Sequence, residues 1–265
     1  MTEQRGGSLK LENKVAFITG AGQGIGRGIA HAMVKEGAAV AVVGRGVEKI
    51  ERVADEIRSF GGNALAVKCD VTSRQETESA VATAVDVFGG IDILVNNAQD
   101  LRDIYKPLIE ITDADMERSI ESGIMGSLYC MQTCFPYLKV NGGKIINFGS
   151  AGGITGVAKY PAYAISKEGI RALTRVAARE WGTFGINVNT ICPAADTPTG
   201  TEMQEKNPEM KAMVDELVAA LPIPRRGLAE EDIGRVAVFL ASSDAGYITG
   251  HTFMVDGGGY MDAGR

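Results

Sequence analysis

The sequence predicts an α/β fold, a doubly wound Rossmann-type parallel β-sheet of about seven strands with helices on both faces. Short, nearly continuous apolar runs alternate with segments of helical period, and no repeat, low-complexity tract or linker interrupts them. Such strands are buried on both faces, as in parallel sheets covered by helices. The length of 265 residues fits a single domain over 1–265, with 1–10 expected to be a flexible tail.

The apolar runs predict strands at residues 15–19, 38–43, 64–69, 91–95, 144–148, 186–191 and 251–255. Helical period predicts helices that end near residue 36 and then cover 47–60, 74–88, 113–138, 160–183 and 230–241. Thr112 is a plausible N-cap of the long helix, with Asp115 three residues on as an imperfect capping box.

Composition excludes several classes of partner. The net charge of −6 and the isoelectric point near 5.1 argue against nucleic acid or an anionic membrane surface. No apolar run approaches the roughly 18 residues that span a bilayer, and the polar start lacks the apolar core of a signal peptide. We therefore expect a soluble, cytoplasmic protein with no membrane partner.

Four cysteines and two histidines give little material for a metal site. Cys130 and Cys134 lie four apart in a predicted helix, and buried small apolar side chains explain them best. A zinc site needs about four ligands, and neither histidine lies near a cysteine pair. We predict no metal and no disulfide framework.

A glycine-rich stretch, Thr19–Gly26, follows the first predicted strand and opens a helix. Glycines let the backbone turn tightly and let a pyrophosphate approach, while the helix N-terminus offers free N–H groups. The strand, loop, helix and following strand supply the context that distinguishes this stretch from an ordinary turn. The residues predicted to bind a dinucleotide here are Gly20, Gln23, Gly24, Ile25 and Gly26.

The end of the second strand predicts which dinucleotide binds. An acidic residue there would hydrogen-bond the ribose 2′-hydroxyl of NAD and repel a 2′-phosphate. This chain instead has Gly44 and Arg45, which leave space and offer a guanidinium to a phosphate. The pattern favours NADP(H), with NAD(H) possible if Arg45 is only a solvated surface charge.

Tyr163 and Lys167 lie four residues apart in a predicted helix, one turn apart on one face. An ammonium about 4 Å from a phenol, at an effective dielectric near 20, favours the phenolate by about 4 kcal/mol, or roughly 3 pKa units. That would bring the tyrosine near neutral pH, where acid–base catalysis is efficient. Taken alone, such a pair is usually only a helix face.

Ser150 ends the fifth predicted strand, so it should open on the same crevice as the glycine loop. Its hydroxyl could hold a substrate oxygen while Tyr163 supplies or takes the proton. The alternative is a serine that only caps a turn or a helix.

Together these residues resemble the short-chain dehydrogenase/reductase family, in its ordinary-length branch, over residues 11–258. The resemblance is carried by Thr19–Gly26, Asp70-Val71, Asn96-Asn97-Ala98, Ser150 with Tyr163 and Lys167, Thr249-Gly250 and Val255–Gly258. It implies reversible oxidation of a secondary alcohol, often in a tetrameric assembly, so a homo-oligomer is expected, as a tetramer or a dimer. The partner is a small-molecule alcohol or ketone.

The resemblance also implies roles for single residues. Tyr163 resembles the general acid/base, Lys167 would lower its pKa and hold the nicotinamide ribose, and Ser150 would orient the carbonyl. At the other end, Asp70 and Val71 would meet the adenine and Asn97 the adjoining ribose.

Three departures lie near the catalytic end. Gly123 stands where the family has an Asn that helps hold a water in the proton relay, so a water, a neighbour or bulk solvent must substitute. Gln99 replaces a glycine and could enter the pocket or supply the missing amide. The family's Pro-Gly becomes Pro193-Ala194, and the Thr predicted to border the nicotinamide comes one residue early, at Thr197.

The segment 196–221 looks like an insertion after a strand's carboxyl end, where it could form a substrate-binding lid. A surface loop and helix is the alternative. Met203, Met210 and Met213 could line an apolar pocket, although helix packing explains them equally well. Steroid, fatty-acyl, terpenoid, aromatic and sugar-like substrates all remain open.

Three functions fit the sequence. The leading one is an NADP(H)-dependent oxidoreductase with Tyr163 as general acid/base. The alternatives are a cofactor-binding, regulatory or scaffold member with weak or no turnover, and a dehydration or epimerisation on the same scaffold.

Overall fold

A computed structural model describes residues 9–102 and 104–261, and within them seven parallel strands form one sheet. The strands are β1 (Val15–Thr19), β2 (Ala39–Gly44), β3 (Ala64–Lys68), β4 (Ile93–Asn96), β5 (Lys144–Phe148), β6 (Asn187–Pro193) and β7 (Thr252–Val255). Their order across the sheet is β3-β2-β1-β4-β5-β6-β7. The predicted fold class is confirmed.

Helices connect successive strands. They are α1 (Gly24–Lys35), α2 (Val47–Ser59), α3 (Arg74–Phe88), α4 (Asp113–Ile120), α5 (Gly126–Asn141), α6 (Ala151–Thr155), α7 (Pro161–Trp181), α8 (Pro198–Lys206), α9 (Pro208–Ala219) and α10 (Arg235–Ala241). Over the described ranges, none of them is long and apolar enough to cross a bilayer.

The sheet separates two apolar cores, which is why its strands read as continuous apolar runs. In β2, Val40 and Val42 join one core with Ile29 of α1. Ala41 and Val43 point the other way and join a second core with Val81 of α3. Cys130 and Cys134 are fully buried in that second core. Alternate residues of one strand are therefore buried on opposite faces.

Several elements differ from the prediction. The long helix predicted at 113–138 contains a π-helical turn, Glu121–Met125, between α4 and α5. The segment 196–221 forms two helices, α8 and α9, each with a proline in its first turn and a capping side chain before it. The sequence shows no clear helical period in this segment, because only one residue of the two helices, Met210, is buried.

The structure adds detail to two further predictions, the capping box and the N-terminal tail. Thr112 and Asp115 form a complete capping box, because each side chain accepts from the other's backbone N–H. Residues 1–8 of the predicted flexible tail lie outside the described residues. Lys10, at the end of that predicted tail, is anchored: its backbone N–H donates to Glu36 at 3.2 Å and its ammonium contacts Asp244.

A buried polar network crosses the sheet near the carboxyl ends of its strands. Asn96, Asn147 and Thr190 are register neighbours on β4, β5 and β6. Asn96 Nδ2 donates to Asn147 Oδ1 at 2.8 Å. Thr174 Oγ1 of α7 accepts from Asn147 Nδ2 and from Thr190 Oγ1, each at 2.9 Å, and donates to Ile170 O. The network therefore fastens α7 to the sheet.

Replacing Thr174 by Val should destabilise the protein by about 2–4 kcal/mol, because it leaves two buried donors without an acceptor. Thr174→Ser keeps the hydroxyl and should recover most of that loss. The free energy of unfolding in urea measures both changes. Thr83→Val is the matched control, since Thr83 makes the same hydrogen bond one turn back on an exposed helix face. A Thr174→Val loss no larger than the control's would contradict the network's role.

Candidate active site

A cleft of about 290 Å³ opens at the carboxyl ends of the strands, where the strand order reverses between β1 and β4. Open parallel sheets bind ligands at this point. The predicted site residues that line it are Gly20, Gln23, Gly24, Ile25, Arg45, Asn97, Tyr163, Lys167 and Thr197. The structure thus brings the glycine loop and the Tyr–Lys pair together in one cleft.

The glycine loop presents a helix N-terminus to this cleft. Helix α1 begins at Gly24, its N-cap residue Gln23 makes no side-chain cap bond, and its first turn carries no acidic residue. The first N–H groups and the positive end of the helix dipole therefore face the cleft, as a pyrophosphate requires. Gly26 lies behind the lining, where a Cβ would approach Gly20 O to 2.5 Å.

The loops after β1 and β4 are bonded to each other. Thr19 Oγ1 accepts from the backbone N–H groups of Asn97 and Ala98 at 3.0 and 3.1 Å. Asn97 Nδ2 in turn donates to the carbonyls of Thr19 and Gly20 at 3.0 and 3.1 Å. The amide of Asn97, predicted to meet a ribose, therefore also shapes the glycine loop.

Basic side chains surround the end of β2. Arg45 and Lys49 both line the cleft beside Gly44, and Arg52 Nη2 donates to Gly22 O at 3.4 Å. Lys49 Nζ also donates to Gln23 Oε1 at 2.8 Å. The end of β2 therefore presents cations next to the glycine loop, the environment that a phosphate prefers.

A smaller cavity of about 130 Å³ adjoins the cleft and contains Asp70 and Val71, the residues predicted to meet an adenine. Gly20, Gly44 and Arg45 line both cavities. Asp70 Oδ1 accepts from the backbone and the hydroxyl of Thr72 at 3.0 and 2.9 Å. The predicted adenine end is thus continuous with the glycine loop.

Lys167 contacts both the sheet and the tyrosine ring. Its Nζ donates to Phe148 O at 3.0 Å and lies 5.5 Å from the centroid of the Tyr163 ring. Burial lowers the pKa of Lys167 to about 8. Burial also raises the pKa of Tyr163, and the neighbouring Ser150 hydroxyl offsets only part of that rise. The direction of the Tyr163 pKa shift is therefore opposite to the lowering predicted from the Tyr–Lys spacing.

Ser150 caps a helix, as one of its two predictions had it, and it faces a second cavity rather than the cleft of the glycine loop. Its Oγ caps the short helix α6 by accepting from the Gly152 N–H at 3.1 Å. It also lines a second cavity, of about 260 Å³, together with Tyr163. The rest of that lining is mostly apolar and comprises Leu101, Ile104, Gly152, Val157, Tyr160, Gly200, Met203, Gln204, Met210 and Val214.

The cleft and the second cavity meet at Tyr163 and Leu101, which line both. Two of the three methionines singled out in the sequence, Met203 and Met210, line the second cavity, whereas Met213 does not. No charged side chain occurs among the described residues that line it. The tyrosine hydroxyl therefore lies between a polar, cationic cleft and an apolar cavity.

The space beside Gly123 is already filled. A Cβ at Gly123 would lie 2.0 Å from Ser166 Oγ and 2.6 Å from Gln99 Oε1. Gln99 Nε2 donates to Ser119 O and to Ser122 Oγ, each at 3.2 Å. Gln99 thus places an amide beside Gly123 and also lines the cleft, the two positions predicted for it as alternatives.

Sequence reasoning missed Lys49, Leu101 and Tyr160. Lys49 follows Gly44-Arg45-Gly46 in the first turn of α2, and a basic residue so close to the cofactor-selecting strand end was a usable signal. Leu101 and Tyr160 lie in irregular or helix-start positions with no periodic pattern. Within residues 9–102 and 104–261, no group of three or more His, Cys, Asp or Glu side chains is placed to hold a metal.

Comparisons with known proteins point to one family. Residues 20–260 match the family model described as enoyl-(acyl carrier protein) reductase. The chain is 41% identical to 12alpha-hydroxysteroid dehydrogenase of Clostridium sp. over 255 residues, 94% of this chain and 97% of that protein. It is 34% identical to cyclohexanol dehydrogenase of Acinetobacter sp. over 252 residues, 94% and 96% of the two chains.

A solved structure agrees with these sequence matches. A crystal structure named as a short-chain alcohol dehydrogenase of Sinorhizobium meliloti 1021 superposes with a TM-score of 0.87 at 33% identity. The match covers 95% of this chain and 98% of that one. The likeness of fold therefore extends over nearly the whole chain.

Gly123→Ala should lower the free energy of unfolding by about 1–3 kcal/mol, because the new methyl group overpacks against Ser166. Adding Ser166→Ala removes the nearest atom and should restore most of the loss. A double variant whose loss equals the sum of the two single losses would contradict this contact. Gly182→Ala is the control, since a Cβ there meets nothing within 4 Å.

Proposed function

Because the chain belongs to the short-chain dehydrogenase/reductase family, we propose that it transfers a hydride between NADP(H) and an uncharged, apolar ring alcohol or ketone. Its named relatives are dehydrogenases that act on CH–OH groups. The observation that carries the proposal is the meeting of the two cavities at Tyr163. A cofactor in the cleft and a substrate in the apolar cavity would then face each other across one hydroxyl.

Tyr163 is the proposed general acid/base. Burial raises its pKa, so the phenol keeps its proton at neutral pH and can donate it to a carbonyl oxygen during reduction. Ser150 lines the same cavity, where its hydroxyl can hold that oxygen in place. Lys167 has a pKa lowered to about 8 and can therefore exchange protons near neutral pH. Its hydrogen bond to Phe148 O anchors its ammonium at the end of β5.

The bound nicotinamide supplies or takes the hydride, and the protein supplies its orientation. The uncapped start of α1 would hold the pyrophosphate, and the side chains of Asn97, Tyr163, Lys167 and Thr197 would lie along the riboses and nicotinamide. Asp70 and Val71 would hold the adenine. Arg45 and Lys49 beside Gly44 support NADP(H), because they offer two cations where a 2′-phosphate would lie.

The lining of the second cavity supports an apolar substrate. Ser150 and Tyr163 contribute hydroxyl groups to this lining. Among the other described lining residues, only Tyr160 and Gln204 have hydroxyl or amide side chains that form hydrogen bonds. A polyol would leave most of its hydroxyls without partners, which costs free energy. The names of the two relatives above, a hydroxysteroid and a cyclohexanol dehydrogenase, indicate ring alcohols, whereas a third relative, 37% identical, is named sorbitol dehydrogenase. The preference for an apolar substrate therefore depends on the cavity lining.

We also propose that 196–221 acts as a lid, because Met203 on α8 and Met210 on α9 line the cavity. Arg226 fastens this segment: its guanidinium donates to Asp196, Gln204 and Asp215 at 3.0, 2.8 and 2.9 Å. The lid is therefore held by polar contacts at its outer face and by substrate-facing methionines at its inner face.

Self-association into a dimer or tetramer is part of the proposal. The neighbouring side chains of Leu108 and Ile109 are 76% and 93% exposed, and adjoining exposed apolar side chains are typical of contact surfaces.

Tyr163→Phe should lower kcat for reduction of a bulky alicyclic ketone by about 10²- to 10⁴-fold, because it removes the proton donor. The affinity for the dinucleotide should change little. NADPH absorbance follows turnover, and a parallel assay with an open-chain polyol ketone should give a much lower kcat/KM. Tyr129→Phe, whose ring lies under Arg74 away from the cleft, is the control. Equal rates for Tyr163→Phe and wild type would overturn the role of Tyr163.

NADPH should bind more tightly than NADH, and Arg45→Ala should weaken NADPH by about tenfold or more, because a charged hydrogen bond contributes about 1.5–3 kcal/mol. NADH should lose less than about threefold, since it has no 2′-phosphate. Fluorescence titration with both nucleotides measures this. Arg58→Ala, at the far end of α2, is the matched control. A wild-type preference for NADH would contradict the proposed cofactor.

A further inference from the structure

A buried carboxylate that neither the motifs nor the proposed chemistry uses lies beside the cofactor-selecting arginine. The side chain of Asp100 is only 5% exposed and lines the same small cavity as Arg45 and Asp70. Asp100 lies in the loop after β4, whereas Asp70 follows β3 on the other side of β2, so the two carboxylates reach this cavity from opposite sides. A buried charge is costly unless it is paired, so the partners of Asp100 matter.

Asp100 is bound mainly by Arg102. The guanidinium Nε lies 3.0 Å from each carboxylate oxygen, and Nη2 and the backbone N–H also donate to it. Burial alone would raise the pKa of Asp100, but these hydrogen bonds and the charge of Arg45 outweigh burial and hold that pKa below its usual range. Asp100 is therefore a carboxylate at neutral pH.

Arg45 is shared between two carboxylates. Its Nη1 lies 3.7 Å from Asp70 Oδ2 and its Nη2 lies 3.7 Å from Asp100 Oδ2. Both are ion pairs at a distance longer than a good hydrogen bond, so neither carboxylate holds the guanidinium in a bidentate grip. A third anion that comes close, such as a nucleotide 2′-phosphate, competes with both for the same guanidinium.

We propose that Asp100 is a specificity-determining residue that competes with the 2′-phosphate for Arg45 and so limits the preference for NADPH over NADH. This inference rests on the proposed binding of NADP(H). Asp100 acts in two ways in the same direction. It draws the guanidinium toward the adenine-side cavity, and its negative charge repels a phosphate that binds the other side of Arg45. Arg102 moderates both effects by neutralising Asp100.

Asp100→Asn keeps the size and the acceptor oxygen of the side chain and removes the charge. We expect it to tighten NADPH binding by about five- to tenfold and NADH binding by less than about twofold. Because Asp100 acts through Arg45, the selective gain should disappear when Asp100→Asn is combined with Arg45→Ala. Fluorescence titration of each full-length variant with NADPH and NADH measures the dissociation constants, and thermal melting shows that each variant is folded.

Arg102→Gln tests the proposal from the opposite direction and decides it if Asp100→Asn does not fold. The guanidinium of Arg102 is 67% exposed, so its loss leaves the core intact. The negative charge of Asp100 is then less well neutralised. NADPH binding should therefore weaken by about threefold or more, again only while Arg45 is present. Asp92→Asn is the matched control, because Asp92 pairs with Lys14 and lies before β4, at the opposite end of the sheet.

The possible outcomes distinguish a failure of the role of Asp100 from a failure of the proposed cofactor. Equal shifts for NADPH and NADH in Asp100→Asn, or the same selective gain with Arg45→Ala present, would overturn the role of Asp100 while leaving the proposed cofactor in place. A wild-type protein that does not prefer NADPH would overturn the proposed cofactor and this inference with it. Opposite shifts for Asp100→Asn and Arg102→Gln, both dependent on Arg45, would support the inference.

Discussion

The site depends on the hydrogen bonds that Asn147 and Thr190 donate to Thr174, because they fasten α7 to the sheet. Tyr163 and Lys167 are carried on that helix, and Lys167 adds its own bond to Phe148 O at the end of β5. Buried donors in the low-dielectric interior need acceptors, and Thr174 Oγ1 accepts from both of these donors only when α7 holds this position. The same constraint that stabilises the sheet thus places the tyrosine at its carboxyl edge.

From that edge the site divides by polarity. Toward β2 the cleft carries the free N–H groups of α1 and the cations Arg45 and Lys49. Toward the lid the second cavity is lined mostly by apolar side chains. Tyr163 lies where the two meet, and its burial keeps the phenol protonated at neutral pH. The division fits the proposed binding of an anionic dinucleotide and an apolar alcohol side by side.

Near Tyr163, neighbouring side chains fill the space at a position where the sequence departs from the family pattern. Gly123 lies within the π-helical turn, and Ser166 and Gln99 fill the space that a side chain there would occupy. Gln99 could be named from the sequence as a possible source of the amide, but the contact with Ser166 could not, because 43 residues separate Gly123 from Ser166 along the chain. Likewise, the pairing of Arg45 with Asp100 depends on loops after two different strands.

The sequence by itself determined the parallel sheet, the glycine loop and the shared helix face of Tyr163 and Lys167, because these follow from local periodicity and spacing. Only the tertiary structure decided that Lys167 donates to Phe148 O while lying 5.5 Å from the centre of the Tyr163 ring, and that burial raises the Tyr163 pKa. It also decided that 196–221 forms two helices over an apolar cavity. Burial and electrostatic environment are sums over side chains distant in the sequence, so the Tyr–Lys spacing alone could not supply them.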